Sequence, residues 1–137
     1  VLTLNLQGMS KVKKAIEDAP DRGLLMVQKI AMDLYQKVII KSPVDSGRFR
    51  SNWQLSINRP ITTPILTGGS KGLAPIKGLT EIPKSIWLSN NLPYSRVIEY
   101  GLFTTKPYTI KTVGGYSKQA PRGVARISLD EVKARFQ

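Results

Sequence analysis

Cysteine and histidine are both missing from the 137 residues. Without cysteine there is no disulfide, no thiolate nucleophile and no sulfur ligand for a metal. Without histidine there is no imidazole to act as base near neutral pH or as metal ligand. Serine and threonine remain, but no histidine is present to activate their hydroxyls. Acidic residues are scarce, nine against 21 Lys and Arg, so the formal net charge is +12. Long apolar runs are absent too, and none approaches the roughly 20 residues needed to span a bilayer. The segment Val1–Leu6 lacks the basic start and the long apolar stretch of a signal peptide. The lack of cysteine suits a reducing compartment. These absences point away from catalysis, from a resident cofactor or metal and from a membrane.

What is present is a positive charge with an uneven distribution. Residues 1–39 carry six basic and four acidic residues, residues 40–126 thirteen and three, and residues 127–137 two of each. A net +10 in the middle of the chain calls for an anionic neighbour, such as nucleic acid, a membrane surface or an acidic protein face.

The hydropathy pattern gives an α+β protein, read as a single domain over 1–137. Leu2, Leu4 and Leu6 alternate with polar residues, as in a short strand or an extended arm. Ser10 can cap a short helix over 11–19, which completes an N-terminal arm and helix over 1–19. A long amphipathic helix runs from Pro20 or Asp21 to Lys41, with Leu24, Val27, Ala31, Leu34 and Val38 on its apolar stripe and Leu25, Ile30 and Ile39 widening it. Ser42-Pro43 stops it. Pro43 to Gly47 is a turn, and Phe49, Trp53, Leu55 and Ile57 then share one face of a strand. Residues 60–84 hold four prolines and four glycines without a period, and read as an extended loop or hairpin arm directed at a neighbour. Ile86 to Leu88 start a second strand. Tyr94 to Tyr100 form one or two helical turns closed by Gly101. A loop or hairpin surrounds Gly114-Gly115, and Ala120-Pro121 open a C-terminal helix. The expected architecture is the long helix packed on a small, mostly antiparallel sheet.

No constellation of side chains in this chain satisfies the needs of an active site. Gly68-Gly69-Ser70-Lys71-Gly72 lacks the spacing of a phosphate-binding loop. Asp45 and Glu99 are the most isolated acids of the basic middle and could form a carboxylate pair; ion pairing with Arg48, Arg50 or Arg122 is the preferred reading. Arg48, Phe49, Arg50 and Trp53 interleave cations with aromatics as a nucleic-acid surface would, but Phe49 and Trp53 read better as core.

Three motifs stand in a set order. They are Ser42-Pro43-Val44-Asp45-Ser46-Gly47-Arg48-Phe49-Arg50-Ser51-Asn52-Trp53, then Tyr94-Ser95-Arg96-Val97-Ile98-Glu99-Tyr100-Gly101, then Gln119-Ala120-Pro121-Arg122-Gly123-Val124-Ala125-Arg126. Over residues 20–136 this order resembles the neck and tail-completion proteins of tailed bacteriophages, the group that includes minor tail protein Z-like chains. The resemblance implies a non-catalytic virion protein assembled in the host cytoplasm. It also implies a homo-oligomer, a six-fold ring at the head–tail junction, with connector or head-completion proteins on one side and tail-terminator or tail-tube proteins on the other. Double-stranded DNA would pass through such a ring. Arg48, Arg50, Lys71, Lys77 and Lys84 are then the candidates for lining the DNA path or for contacts between subunits. The alternative is a stand-alone basic protein that binds nucleic acid.

Overall fold

The computed structural model describes residues 2–5, 10–44, 47–66, 69–103 and 112–136. The fold is α+β, with helices packed beside a small antiparallel sheet. Its long helix, α2 (Pro20–Lys41), follows the helix α1 (Ser10–Asp18) after the single residue Ala19. Pro20 opens α2, where a missing N–H costs nothing, and Asp21 and Lys41 complement the helix dipole at its two ends. The face it buries carries Ile30, Ala31, Leu34 and Val38. Leu25, expected to widen this face, points outward and is 62% exposed.

The sheet is antiparallel, in the order β1 (Leu2–Asn5), β3 (Ile86–Asn90), β2 (Trp53–Ile57). Trp53 stands opposite Asn90, Leu55 opposite Leu88 and Ile57 opposite Ile86. Because side chains alternate along a strand, this register points Trp53, Leu55 and Leu88 into the core. On the other side of β3, Leu2 pairs with Asn90 and Asn5 with Trp87, so the N-terminal segment forms an edge strand of the same sheet.

The strand expected from Phe49 onward begins only at Trp53. Arg48–Ser51 form a turn of helix, α3, entered from Gly47 in the left-handed conformation. This puts Phe49 in the core from a helix, and Arg48 and Arg50 do not share a strand face. The Phe49 and Trp53 rings meet edge to face at 5.7 Å, and both lie in one apolar cluster with Leu34 and Val38. Trp53 also donates its indole N–H to Ser42 Oγ at 2.8 Å.

Residues 60–66 and 69–84 fold back on the body of the protein. Asn58 sits at positive φ, and its Oδ1 accepts from the Lys84 and Ser85 amides, which closes the base of the excursion. Asn52 Oδ1 accepts from the Ile65 amide, Asn91 Nδ2 donates to Ile61 O, and Ser70 Oγ donates to Trp53 O. The short helix α4 (Ala74–Lys77) packs on α2 and β2 and buries Ile76 completely. Asparagines at the strand ends, Asn52 and Asn91 buried and Asn58 exposed, therefore supply from a distance in sequence the backbone partners that a loop lacks.

After β3 come α5 (Ser95–Tyr100), a hairpin of β4 (Thr112–Val113) and β5 (Tyr116–Ser117), and α6 (Ala125–Phe136). The last helix begins five residues later than Ala120-Pro121 suggests, because Gly123 has positive φ and breaks the run. It packs antiparallel to α2: Glu131 meets Lys37 and Lys41 at 3.4 and 3.0 Å, and Arg135 meets Asp33 at 3.2 Å. Among the described residues no helix is long and apolar enough to cross a membrane.

Candidate functional site

The three sequence motifs meet at one corner, beyond the C-terminal end of α2. The first and third are joined by Val44 and Gln119: the Val44 amide donates to Gln119 Oε1 at 2.8 Å, and Gln119 Nε2 donates back to Val44 O at 3.2 Å. The first and second touch through the rings of Phe49 and Tyr94, whose centroids lie 6.3 Å apart. The second and third are joined by Glu99.

Glu99 is fully buried, and every contact it makes follows from the way α6 starts. A helix leaves its first amides without partners, and Ala120-Pro121-Arg122-Gly123 offers no Ser, Thr, Asp or Asn side chain to cap them. The carboxylate of Glu99 does it from another element. Its Oε2 accepts from the amides of Val124 and Ala125, both at 2.7 Å, and its Oε1 from the amide of Arg126 at 2.9 Å. The Arg126 side chain closes the arrangement, with Nε 3.0 Å from Oε1 and Nη2 2.9 Å from the Glu99 carbonyl oxygen. The hydrogen bond to Glu99 holds the Arg126 proton more firmly than usual, against the smaller opposing effect of desolvation. A buried carboxylate costs free energy unless its lone pairs are satisfied, and here four donors satisfy them.

Close backbone approach makes this possible. A Cβ on Gly123 would stand 2.5 Å from the Glu99 carbonyl oxygen and 2.9 Å from Oε2, and the residue has φ +79. Gly101, which ends α5 in the left-handed region, lies under the Tyr116 ring, which a Cβ there would strike. Both positions require glycine.

On the outside of this corner, Tyr100 and Leu102 are 43% and 58% exposed. The guanidinium of Arg126 lies 4.5 Å from the centre of the Tyr100 ring, and that of Arg96 5.7 Å. Arg96, Arg122 and Lys118 are exposed as well. Within residues 94–126 there are six cations and one acid, and that acid is Glu99, turned inward.

The structure distributes the expected site residues over several places. Glu99 meets Arg126 rather than Arg48, Arg50 or Arg122. Asp45 lies outside the described residues. Arg50 is half-buried, and its Nη2 donates to Ser42 O at 3.2 Å, tying α3 to the end of α2. Arg48, Lys71, Lys77, Lys84 and Arg122 are exposed. Trp53 and Phe49 are core, so no base-stacking platform exists there. Among the described residues no group of acids could hold a metal ion. Sequence reasoning missed Arg126, Gln119 and Tyr100. A signal existed for the first of these: an uncapped helix start four residues after a proline needs an outside acceptor, and Glu99 is the nearest preceding acid.

A family model, HK97-gp10-like, described as "Bacteriophage HK97-gp10, putative tail-component", matches residues 6–101 of the 137. The match contains the first two motifs and ends at Gly101, before the third. No curated protein and no solved structure gives a significant match.

Proposed function

The chain belongs to the HK97-gp10-like family of bacteriophage tail components, and from that premise we propose that it acts as a subunit of a ring at the head–tail junction. In this reading it is a non-catalytic virion protein. It joins a connector or head-completion protein to a tail-terminator or tail-tube protein, and double-stranded DNA passes through its lumen.

The observation that supports this reading is the excess of exposed cations in residues 40–126, where Glu81 is the one exposed acid among the described residues. Of the nine acids, Glu99 is buried, while Asp33 and Glu131 are used by cations of α2 and α6. Lys71, Lys77 and Lys84 are exposed in a region whose net charge is +10. Cations spread over a surface hold a phosphate backbone by a field screened within about 10 Å at 0.1 M salt. They position DNA without reading its sequence.

Charge reversal of Lys71, Lys77 and Lys84 together is the test. Rings should still form and enter particles, while genome retention or ejection fails. A variant that no longer enters particles would assign these lysines to docking on an acidic neighbour and remove the DNA-lining role. A monomer in solution that binds DNA with a steep dependence on salt would favour the stand-alone nucleic-acid-binding alternative.

A further inference from the structure

We propose that the corner formed by Arg96, Tyr100, Leu102 and Arg122 is a docking surface for a second copy of this chain, and that it receives the acidic tip at the junction of that copy's α1 and α2. The inference rests on the ring reading above and names the surfaces through which such a ring would close.

Charge complementarity carries it. Three of the nine acids, Glu17, Asp18 and Asp21, fall within five consecutive residues that contain no cation, and all three are exposed. They flank the one-residue link, Ala19, between α1 and α2. Asp21 complements the dipole of α2, but Glu17 and Asp18 lie in the last turn of α1, where carboxylates are unfavourable and which holds no basic residue. The N-terminus of α2, one residue on, offsets part of that cost. One turn past Asp21, Leu25 presents an exposed aliphatic side chain. The tip thus carries acids beside an apolar residue, and the opposite corner carries cations beside Tyr100 and Leu102.

The two surfaces lie at opposite ends of the molecule. Glu131 of α6 sits at Lys37 and Lys41, and Arg135 at Asp33, so α6 runs antiparallel to α2 and starts past its C-terminal end. Glu99 and Tyr100 are fixed to that start. The acidic tip marks the other end of α2, whose 22 residues span about 33 Å. The two patches are unlike and lie at opposite ends of α2, so a contact that uses one patch of each copy joins different surfaces. They make a heterologous, head-to-tail contact, the kind that closes into a ring. DNA fits the corner less well than a protein does. Both Arg96 and Arg126 approach the Tyr100 ring, which restricts its use for stacking bases, and a phosphate backbone would leave Leu102 uncovered.

The test is a charge swap read by native mass spectrometry and light scattering on the full chain. Variant one carries Arg96→Glu and Arg122→Glu. Variant two carries Glu17→Lys, Asp18→Lys and Asp21→Lys. The substituted side chains are exposed, so thermal midpoints should stay near the parent's. Where the parent is assembled, each variant alone should be a monomer, with half-assembly moved at least about tenfold upward in concentration, because like charges then face each other. An equimolar mixture should assemble again, since every contact in an alternating ring regains opposite charges. An assembled parent whose variants also assemble, or whose mixture stays monomeric, overturns this contact and leaves the ring reading standing. A parent that is monomeric at all concentrations overturns both. Normal assembly of variant one with loss only of DNA retention would assign the corner to DNA and refute the proposal.

Discussion

Replacing Glu99 tests the structural account of the motif corner most directly. Glu99→Ala removes the acceptor from three backbone amides and from the Arg126 Nε. Loss of a helix N-cap costs about 1–2 kcal/mol. Breaking a buried ion pair costs about 3–5 kcal/mol when the surviving charge stays buried. Here the survivor, Arg126, has a side chain 52% exposed and can return to water, so most of the second figure must be discounted. A total of about 2–3 kcal/mol follows, a large fraction of the roughly 5–15 kcal/mol that a domain has. At about 2–4 °C per kcal/mol, the midpoint should fall by roughly 4–12 °C. Glu99→Gln separates shape from charge. Each carboxylate oxygen accepts two donors, so the amide NH₂ of glutamine must face a pair of N–H groups whichever way it turns. The expected cost is about 2–3 kcal/mol despite the equal size. Urea denaturation measures both variants, and amide hydrogen exchange at residues 124–126 should accelerate in both. If both lose less than about 1 kcal/mol, the carboxylate does not hold the start of α6 and the argument fails.

Trp53→Ala should cost about 3–5 kcal/mol by the same measurement, because the ring is completely buried between Phe49 and the end of α2. Gly123→Ala should destabilise by more than 1 kcal/mol, since the new Cβ meets the Glu99 carbonyl oxygen and carboxylate; a neutral result would mean that α6 can shift its start. The Glu131 carboxyl is held below the usual carboxylate range, first by its hydrogen bond to Lys41 and then by Lys37. Its contribution to stability is therefore present above the ordinary glutamate range and lost as pH falls through the lowered value. Lys41→Ala should return the Glu131 titration toward normal by NMR, and salt should weaken the effect because the carboxylate is 40% exposed. Deleting residues 68–78 should lower stability as well as any assembly, because the deletion removes Ile76 from the core; an unchanged midpoint would contradict the packing of α4.

The elements that obey a local period were legible in the sequence. The long helix, its start at Pro20 and its stop at Ser42-Pro43, the one-sided face of β2, and the helical turns that Gly101 closes all follow from spacing and turn chemistry within a few residues. The absence of cysteine and histidine and the excess of cations bounded the chemistry in the same way, since neither depends on the fold. The motif order carried the resemblance to phage neck proteins, and the family match over residues 6–101 agrees with it. Packing decided what local rules could not. Phe49 enters the core from a turn of helix, because the left-handed Gly47 redirects the chain before the sheet begins. Residues 60–84 have no period of their own, yet Asn52, Asn58 and Asn91 supply their hydrogen-bond partners and Ile76 fills a gap against α2. Glu99 and the start of α6 are 25 residues apart, and no periodicity links them. Only the tertiary structure shows that the buried carboxylate belongs to a helix that has no cap of its own, because an unpaired amide can be satisfied by any acceptor the fold brings within reach.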